Sequence, residues 1–176
     1  MKFYRRFVVA LILMVLFGPS FIERSNNMEF AIREPNPALR FTQTLTKRAQ
    51  TRRIILHHYH HSTATPHDVH RWHLDRGWAG NGYNFMVDRD GTIWRGRGID
   101  TVGTHTANNN GDSIGIACQG RYDDNDRVMP DAQFNSLVWL IQVCRNTYGD
   151  IPVIGHRDAR LCKNARHPPR YGKISK

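Results

Sequence analysis

Seven histidines lie within seventeen residues of the sequence, in the run HHYHHSTATPHDVHRWH that begins at residue 57. Imidazole is the commonest metal ligand in proteins and the commonest acid or base at neutral pH. A structural zinc site uses four protein ligands, whereas a catalytic site uses three and keeps a position open for water. Most of these rings must therefore have other roles, and the sequence has to show which of them does chemistry.

His57 is the strongest metal-ligand candidate of the run because it ends an apolar strand. In RIILHH (53–58), Ile54 and Leu56 share one face of the predicted strand, while Ile55 and His57 share the other. His156 ends a second short apolar strand, IPVIGH (151–156). A histidine at the mouth of a buried strand is fixed in position without being fully buried. Two such rings could meet at one edge of a sheet and bind one metal ion.

Three other histidines of the run, His67, His70 and His73, fall in a helix predicted between Thr65, a plausible N-cap, and Gly77. His70 and His73 share a face at i, i+3 spacing and could hold a metal. We expect instead that one packs beside the neighbouring tryptophan, Trp72, that the other is solvated, and that His67 lies on the surface. Helical zinc motifs such as HExxH are absent.

The remaining patterns alternate strands with helices. YNFMVDRDGTIWRGR (83–97) predicts a hairpin that turns at Asp90-Gly91, and DSIGIACQG (112–120) predicts a buried strand. Residues 130–148 predict a long helix. Its apolar face would comprise Phe134, Leu137, Leu140, Ile141 and Cys144. Strands mixed with helices predict an α/β domain in which helices pack against a sheet.

The first 22 residues have the composition of a signal peptide or membrane anchor. Lys2, Arg5 and Arg6 precede an apolar run, 7–17, that could extend to residue 22 as a membrane tether. Cleavage and retention both remain open. In either case we expect a secreted or membrane-anchored protein whose remaining chain lies outside the cytoplasmic membrane. Residues 23–51 are polar and predict a linker or arm, which leaves 52–176 for the folded domain.

The formal net charge of +10 suits polyanions, including anionic wall polymers and lipid headgroups. No nucleic-acid-binding motif accompanies the charge, so we do not expect nucleic acid as a partner. The three cysteines form no CxxC pair and predict no disulfide framework, and we expect Cys118 and Cys144 to be buried. No GxSxG nucleophile elbow occurs, and the HRD at 156–158 lacks the Gly-rich loop and DFG of a kinase.

Four motifs follow one another along the chain: IILHH, HRWHLDRGWAGNGYNFMVDRDGTIWRGR, VGTHTANNNGDSIGI and GHRD. With these motifs the sequence resembles the zinc N-acetylmuramoyl-L-alanine amidases of the type-2 amidase family, which includes phage amidase lysozymes and peptidoglycan recognition proteins. The resemblance covers about residues 52–171. It implies a single α/β domain, a central mixed sheet flanked by helices, with Zn²⁺ at the floor of a surface groove. The implied reaction hydrolyses the amide between N-acetylmuramic acid and L-alanine in peptidoglycan.

The resemblance also implies a set of metal ligands. His57 matches the first zinc ligand and His156, in GHRD, matches the second. The third ligand departs from the family pattern, because His167-Pro168-Pro169 stands where the family usually has Cys-Pro-Gly or Asp-Pro. We favour His167, which would give a three-histidine zinc site. Cys162 remains the alternative ligand.

Other site residues follow from the same resemblance. Tyr83 matches a tyrosine that lies near the metal and assists the transition state. His105, Thr106 and Asn110 match the groove segment that contacts the glycan–peptide substrate. The sequence does not identify the proton shuttle, for which Tyr83 and neighbouring histidines such as His58, His60 and His105 are candidates.

The family's usual proton-transfer residues are missing from this chain. Alanines, Ala165 and Ala117, stand at the matching positions, and no glutamate follows Glu34. A second hypothesis therefore stays open, in which the same fold binds peptidoglycan or muropeptides without cutting them.

Overall fold

The structure is a computed structural model, and it describes residues 29–122 and 128–161 of the chain. The strands are β1 (Ile32–Arg33), β2 (Arg53–His58), β3 (Phe85–Val87), β4 (Ile93–Arg95), β5 (Ser113–Cys118) and β6 (Val153–Gly155). The helices are α1 (Pro66–Asp75), α2 (Asp131–Tyr148) and α3 (His156–Leu161). The predicted segment 1–22 and both candidates for the third metal ligand, Cys162 and His167, lie outside the described residues.

The six strands form one mixed sheet in the order β1-β4-β3-β5-β2-β6. The hairpin partners β3 and β4 run antiparallel, and the other neighbouring strands run parallel. Strand β5 lies between β2 and β3, and all six of its residues are buried. The predicted α/β domain with a mixed sheet and flanking helices is therefore confirmed.

The parallel pairing of β2 with β6 determines where the site forms. Leu56 pairs with Gly155 in the register of these strands. The next residue of each chain segment is a histidine, so His57, still paired with β5, and His156, directly after β6, lie side by side. We had expected His156 to end a strand, but it is the first residue of α3. The turn into α3 directs the chain away from the sheet directly after β6.

One face of the sheet packs against α2 and forms the main core. Ile54 of β2 belongs to this cluster together with Leu137, Leu140 and Cys144 of α2, whereas Phe134 is 44% exposed. The predicted apolar face was therefore wrong at Phe134. Gln133 takes the inward position one residue earlier, where its side-chain amide donates hydrogen bonds to two backbone carbonyls.

The opposite face packs against α1 and the loops around it. Ile55 and Ile154 contact Ala159 of α3 on this side. The predicted alternation in β2 is confirmed, because Ile54 faces the α2 core whereas Ile55 and His57 face away from it. Helix α1 begins with the predicted cap: the Thr65 side chain accepts from the Asp68 backbone, and Asp68 reaches back to the Thr65 backbone.

Residues 29–52, most of the predicted linker or arm, lie against the domain. Ile32 and Arg33 add the edge strand β1 alongside β4, a pairing the sequence did not reveal. The buried Arg48 guanidinium donates to the backbone carbonyls of Ile99, Thr101 and Ser113. These bonds tie the arm to the loop that precedes β5. Across the described ranges, no helix has the length and apolar character needed to cross a membrane.

Candidate active site

His57 and His156 meet at the carboxyl end of β2 and β6. Their Nδ1 atoms are 2.8 Å apart and their rings are nearly perpendicular, at 84°. The two rings are 99 residues apart in sequence and come together because the strands that carry them are neighbours in the sheet. The expected convergence of two strand-end imidazoles is therefore present in the structure.

The second nitrogen of His57 is held by the loop before β5. His57 Nε2 lies 3.0 Å from His105 Nδ1 and 3.4 Å from Thr106 Oγ1. Asn110 orients this loop, because its side-chain oxygen accepts from the backbone N–H groups of both His105 and Thr106, at 2.9 and 2.7 Å. The residues expected to line a substrate groove thus also position the candidate ligand.

Burial lowers the pKa of two imidazoles of the site, His57 and His105. Desolvation, followed by the nearby rings of His105 and His156, holds the pKa of His57 well below its ordinary value. Burial also lowers the pKa of His105 to about 3, and His156 adds to that shift. A neutral imidazole has a lone pair available for a metal, so this environment favours metal binding over protonation.

Tyr83 stands beside His57, with ring centroids 5.2 Å apart. Burial raises the pKa of its hydroxyl to about 12, so the phenol keeps its proton at neutral pH. Its ring also contacts His73 of α1, at 5.5 Å between centroids. Tyr83 is therefore a fixed hydrogen-bond donor next to the paired histidines.

These residues line a cavity of about 950 Å³, large enough for part of a glycan–peptide chain. His57, His105 and His156 lie on its wall with Tyr83, and Thr106 and Asn110 line it as well. Arg76 and Arg157 supply positive charge, and no aspartate or glutamate among the described residues lines this cavity. The charge favours ligands with carboxylates.

The helix histidines contradict one expectation. His70 and His73 are both buried, so neither is solvated, and His73 packs against Trp78 rather than Trp72. The loop after α1 folds back over the helix, and its buried N–H groups need acceptors. His70 Nδ1 accepts from the Asn81 N–H, and His73 Nδ1 accepts from the Gly82 N–H.

The other histidines of the run are less buried than His57, His70 and His73. His58 and His60 lie close together, with centroids 3.9 Å apart, and both line the cavity. His61 is exposed and lies beside Trp72. His67 is partly exposed, and its Nε2 contacts the Pro37 carbonyl of the arm.

The paired histidines satisfy the distance condition for sharing a metal ion. Zinc–nitrogen bonds are about 2.0–2.1 Å long, so two nitrogens on one ion are at most about 4.2 Å apart. The 2.8 Å separation lies within that limit. In the described ranges, His, Cys, Asp and Glu side chains form no group of three or more arranged to hold a metal. Both sequence candidates for a third ligand lie beyond residue 161.

Sequence reasoning missed two features of the site. His73 was assigned to packing or solvent, and only the returning loop brings it onto the cavity wall beside Tyr83. Gly103 and Gly115 flank the His105 ring closely. An isolated glycine within a strand pattern signals a close approach, so Gly115 in SIGIAC could have indicated this contact.

The fold has counterparts in known proteins. A profile described as N-acetylmuramoyl-L-alanine amidase (Amidase_2) matches residues 47–169. This chain belongs to that amidase family. An endolysin of Enterobacteria phage K11 is 30% identical over 125 residues, covering 64% of this chain and 79% of the endolysin.

Solved structures of the amidase family agree with this assignment. The endolysin N-acetylmuramoyl-L-alanine amidase LysCS from Clostridium intestinale URNW superposes with a TM-score of 0.63 at 31% identity, covering 67% of this chain and 76% of LysCS. The peptidoglycan recognition protein complex LCa–LCx with bound tracheal cytotoxin gives 0.61 at 28% identity, covering 66% and 77%. The family therefore includes enzymes named as amidases and proteins named for recognition.

Proposed function

We propose that this protein is a zinc-dependent amidase that hydrolyses the bond between N-acetylmuramic acid and L-alanine in peptidoglycan. The observation that carries the proposal is the 2.8 Å approach of two imidazoles, His57 and His156, on a domain of the amidase family. Endolysin relatives and the amidase LysCS support the reaction and the substrate.

The donor set of the site fits zinc. His57 and His156 would hold the ion through Nδ1, and His167 or Cys162 would supply the third ligand. Imidazole nitrogens are common zinc ligands, and a site with three protein ligands keeps a position for water or substrate. When bound, zinc supplies a Lewis acid for the amide carbonyl and a source of hydroxide at neutral pH.

Tyr83 has the position and protonation state of a transition-state donor. As the lactyl carbonyl is attacked, negative charge develops on its oxygen, and a preorganised O–H group beside the metal ligands stabilises that charge. Because its pKa is about 12, Tyr83 remains a donor throughout the neutral range. Burial of the ring against His57 and His73 holds the hydroxyl in place.

The alanine nitrogen must receive a proton before it can leave as an amine. Tyr83, His58 and His60 line the cavity and are the candidate donors in the described residues. We assign His105 a lesser part in this step, because both of its ring nitrogens already contact protein groups.

Substrate binding would use the part of the cavity wall next to the paired histidines, which the loop before β5 forms. Thr106, Asn110 and His105 line the cavity, as expected for the segment that meets glycan and peptide. Stem peptides carry carboxylates, and the guanidinium groups of Arg76 and Arg157 are suited to bind them. We propose peptidoglycan as the partner on these grounds.

A second candidate function is peptidoglycan recognition without cleavage. One structural relative is a recognition-protein complex that holds tracheal cytotoxin. The absence of any glutamate after Glu34 removes one proton-transfer residue used by active relatives. Under this alternative the cavity would bind muropeptides and leave the amide intact.

Purified peptidoglycan distinguishes the two functions. The full chain is incubated with it, and newly exposed amino groups of L-alanine are labelled and quantified. The amidase account expects the protein to release alanine amino termini. A zinc chelator should abolish this release, and added zinc should restore it. Retention of the protein on the walls with no alanine amino groups released, even with zinc added, would reject hydrolysis and support recognition alone.

A further inference from the structure

The His105 ring lies in a slot made by two glycines. A Cβ atom built on Gly103 would come within 2.3 Å of His105 Cδ2, and one on Gly115 would come within 2.5 Å of Cδ2 and Cγ. Such distances are not compatible with a side chain, so any residue larger than glycine would displace the ring. Neither glycine has a positive φ, and space rather than backbone conformation requires them. The orientation of His105 is therefore fixed by the backbone.

The inner edge of this ring faces hydrogen-bond acceptors. His105 Nε2 lies 3.5 Å from Ser113 Oγ, and the ring also donates to the Ser113 backbone carbonyl. A carbonyl oxygen can only accept. The Ser113 hydroxyl donates its own proton to the Asn109 carbonyl, which leaves its oxygen as an acceptor. Nε2 of His105 is therefore the nitrogen that carries hydrogen.

The outer nitrogen of the ring must then be an acceptor. His105 is buried, and among the described residues no carboxylate contacts its ring. Such an imidazole is neutral and has a single N–H group. His105 Nδ1 therefore presents a lone pair to His57 Nε2, 3.0 Å away, and one hydrogen has to lie between these atoms. That hydrogen belongs to His57 Nε2.

We propose that His105 is a positioning residue that fixes the tautomer of His57. With its hydrogen on Nε2, His57 presents the Nδ1 lone pair to His156 Nδ1. Thr106 fits the same arrangement, since its hydroxyl lies 3.1 Å from His105 Nδ1 and 3.4 Å from His57 Nε2. A hydrogen-bonded partner behind a histidine ligand sets its tautomer and raises its basicity. The inference rests on the proposed function in taking His57 as a metal ligand.

This arrangement gives His105 a role in addition to lining the substrate-binding wall. Hydrogen bonds link the Ser113 carbonyl to His105 and His105 to His57. The fixed carbonyl group of β5 therefore determines which nitrogen of the candidate ligand carries hydrogen. Loss of the His105 ring would leave His57 free to place its hydrogen on either nitrogen. We expect zinc affinity to fall by about 10–100-fold, the usual effect of losing such a partner.

The test uses the full chain, labelled with ¹⁵N-histidine and freed of metal, in long-range ¹H–¹⁵N correlation spectra near neutral pH. The resonances of His57 are assigned by comparison with His57→Gln. We expect His57 to carry hydrogen on Nε2 in the unsubstituted protein and to populate both tautomers in His105→Ala. Zinc affinity, measured by competition with a chromogenic chelator, should fall in the same variant. His105→Asn, which keeps an acceptor oxygen near the Nδ1 position, should recover part of that affinity.

Gly115→Ala provides an independent way to displace the ring, and Gly111→Ala is its matched control. A Cβ on Gly111 meets no atom within 4 Å, so this variant should keep the tautomer and the zinc affinity. If Gly115→Ala does not fold, His105→Ala and His105→Asn still decide the question.

Hydrogen on Nδ1 of His57 in the unsubstituted protein would overturn the proposal, as would unchanged tautomer and affinity in His105→Ala. The two proposals can fail separately. An inactive protein whose His57 is the Nε2–H tautomer would reject only the amidase function. An active amidase whose His57 carries hydrogen on Nδ1 would reject only the role of His105.

Discussion

Two pairs of histidines in this domain differ in what their Nδ1 atoms face, although His57 is about as buried as His70 and His73. In α1, the Nδ1 atoms of His70 and His73 accept from backbone N–H groups of the following loop, at 3.1 and 2.9 Å. At the sheet edge, the Nδ1 atoms of His57 and His156 face each other at 2.8 Å. The first pair holds a loop, whereas the second pair has the short separation that the proposed shared metal ion would require.

The comparison shows that burial and spacing alone do not identify a metal site. His70 and His73 have the i, i+3 spacing that could suit a shared ion, yet each ring is used by a different backbone group. Among the described residues, no backbone N–H group donates to His57 Nδ1. This nitrogen points instead toward His156, which directly follows the neighbouring parallel strand β6. The atom that each Nδ1 faces separates a structural histidine from a candidate ligand.

Replacing a sheet-edge histidine should have the largest effect. We expect His57→Ala and His156→Ala each to reduce release of alanine amino groups to background, because a site that loses one of three ligands loses its metal. Stability should change less than activity, because His57 is the next-to-last residue of β2 and His156 directly follows β6. Activity is measured on purified peptidoglycan with zinc in excess, alongside thermal unfolding.

Retention of most of the activity in both alanine variants would contradict the distinction between the pairs. His70→Leu serves as the matched control from α1 and should keep its activity.

Tyr83→Phe should have the next largest effect. The variant keeps the ring contacts with His57 and His73 but removes the hydroxyl, and loss of one donor to a developing oxyanion costs about 10²–10³-fold in kcat. We expect zinc content and KM to change little. Steady-state kinetics on a soluble muropeptide and metal analysis measure both quantities, and an unchanged kcat would remove Tyr83 from the chemistry.

The α1 histidines should affect stability rather than activity. His70→Leu leaves the buried Asn81 N–H without its acceptor, and an unsatisfied buried donor costs about 1–3 kcal/mol. Urea unfolding at pH 7.5 measures the free energy of unfolding. A loss of zinc in this variant would show that the division between the two pairs is wrong.

The pH dependence of stability provides the smallest and finest test. Burial, reinforced by Arg76 and Arg97, lowers the pKa of His73 to about 4. The unfolded chain therefore binds more protons between pH 6.5 and 4, and stability is lost as the pH falls through this window. His73→Asn keeps an acceptor for Gly82 and should make the stability curve flatter there, by at most about 1.4 kcal/mol per pH unit.

Asp88→Asn is the control of opposite sign. Burial raises the pKa of Asp88 to about 6, so the folded state binds the extra proton between pH 4 and 6 and gains stability as the pH falls. Removing this carboxylate should make the loss of stability with falling pH steeper, whereas His73→Asn should make it less steep. Denaturant titrations between pH 4 and 7 compare the slopes, and identical slopes in the two variants would contradict both assignments.

Much of the fold could be predicted from local sequence patterns. Period-two alternation located β2, the Asp-Gly turn located the β3–β4 hairpin, and Thr65 with Pro66 and Asp68 located the start of α1. These signals depend on residues close together in the chain. The two-residue strand β1 carries no such pattern, and it forms because the arm lies against β4.

The site could be predicted only in part, because its parts are joined by long-range pairing. The strand ends indicated His57 and His156, and the order β5-β2-β6 then brought them together. The link from His105 to His57 joins residues 48 positions apart and depends on the space left by two glycines. Whether His73 was solvated depended on the loop at 78–82, which no local pattern determines.

The central claim is that His57 and His156 hold one metal ion, and metal analysis tests it most directly. The full chain, His57→Ala, His156→Ala and His70→Leu are purified, loaded with zinc, freed of excess and analysed by inductively coupled plasma mass spectrometry. The account predicts one zinc per chain in the unsubstituted protein and in His70→Leu, and none in either sheet-edge variant. One zinc per chain retained by both His57→Ala and His156→Ala would contradict it.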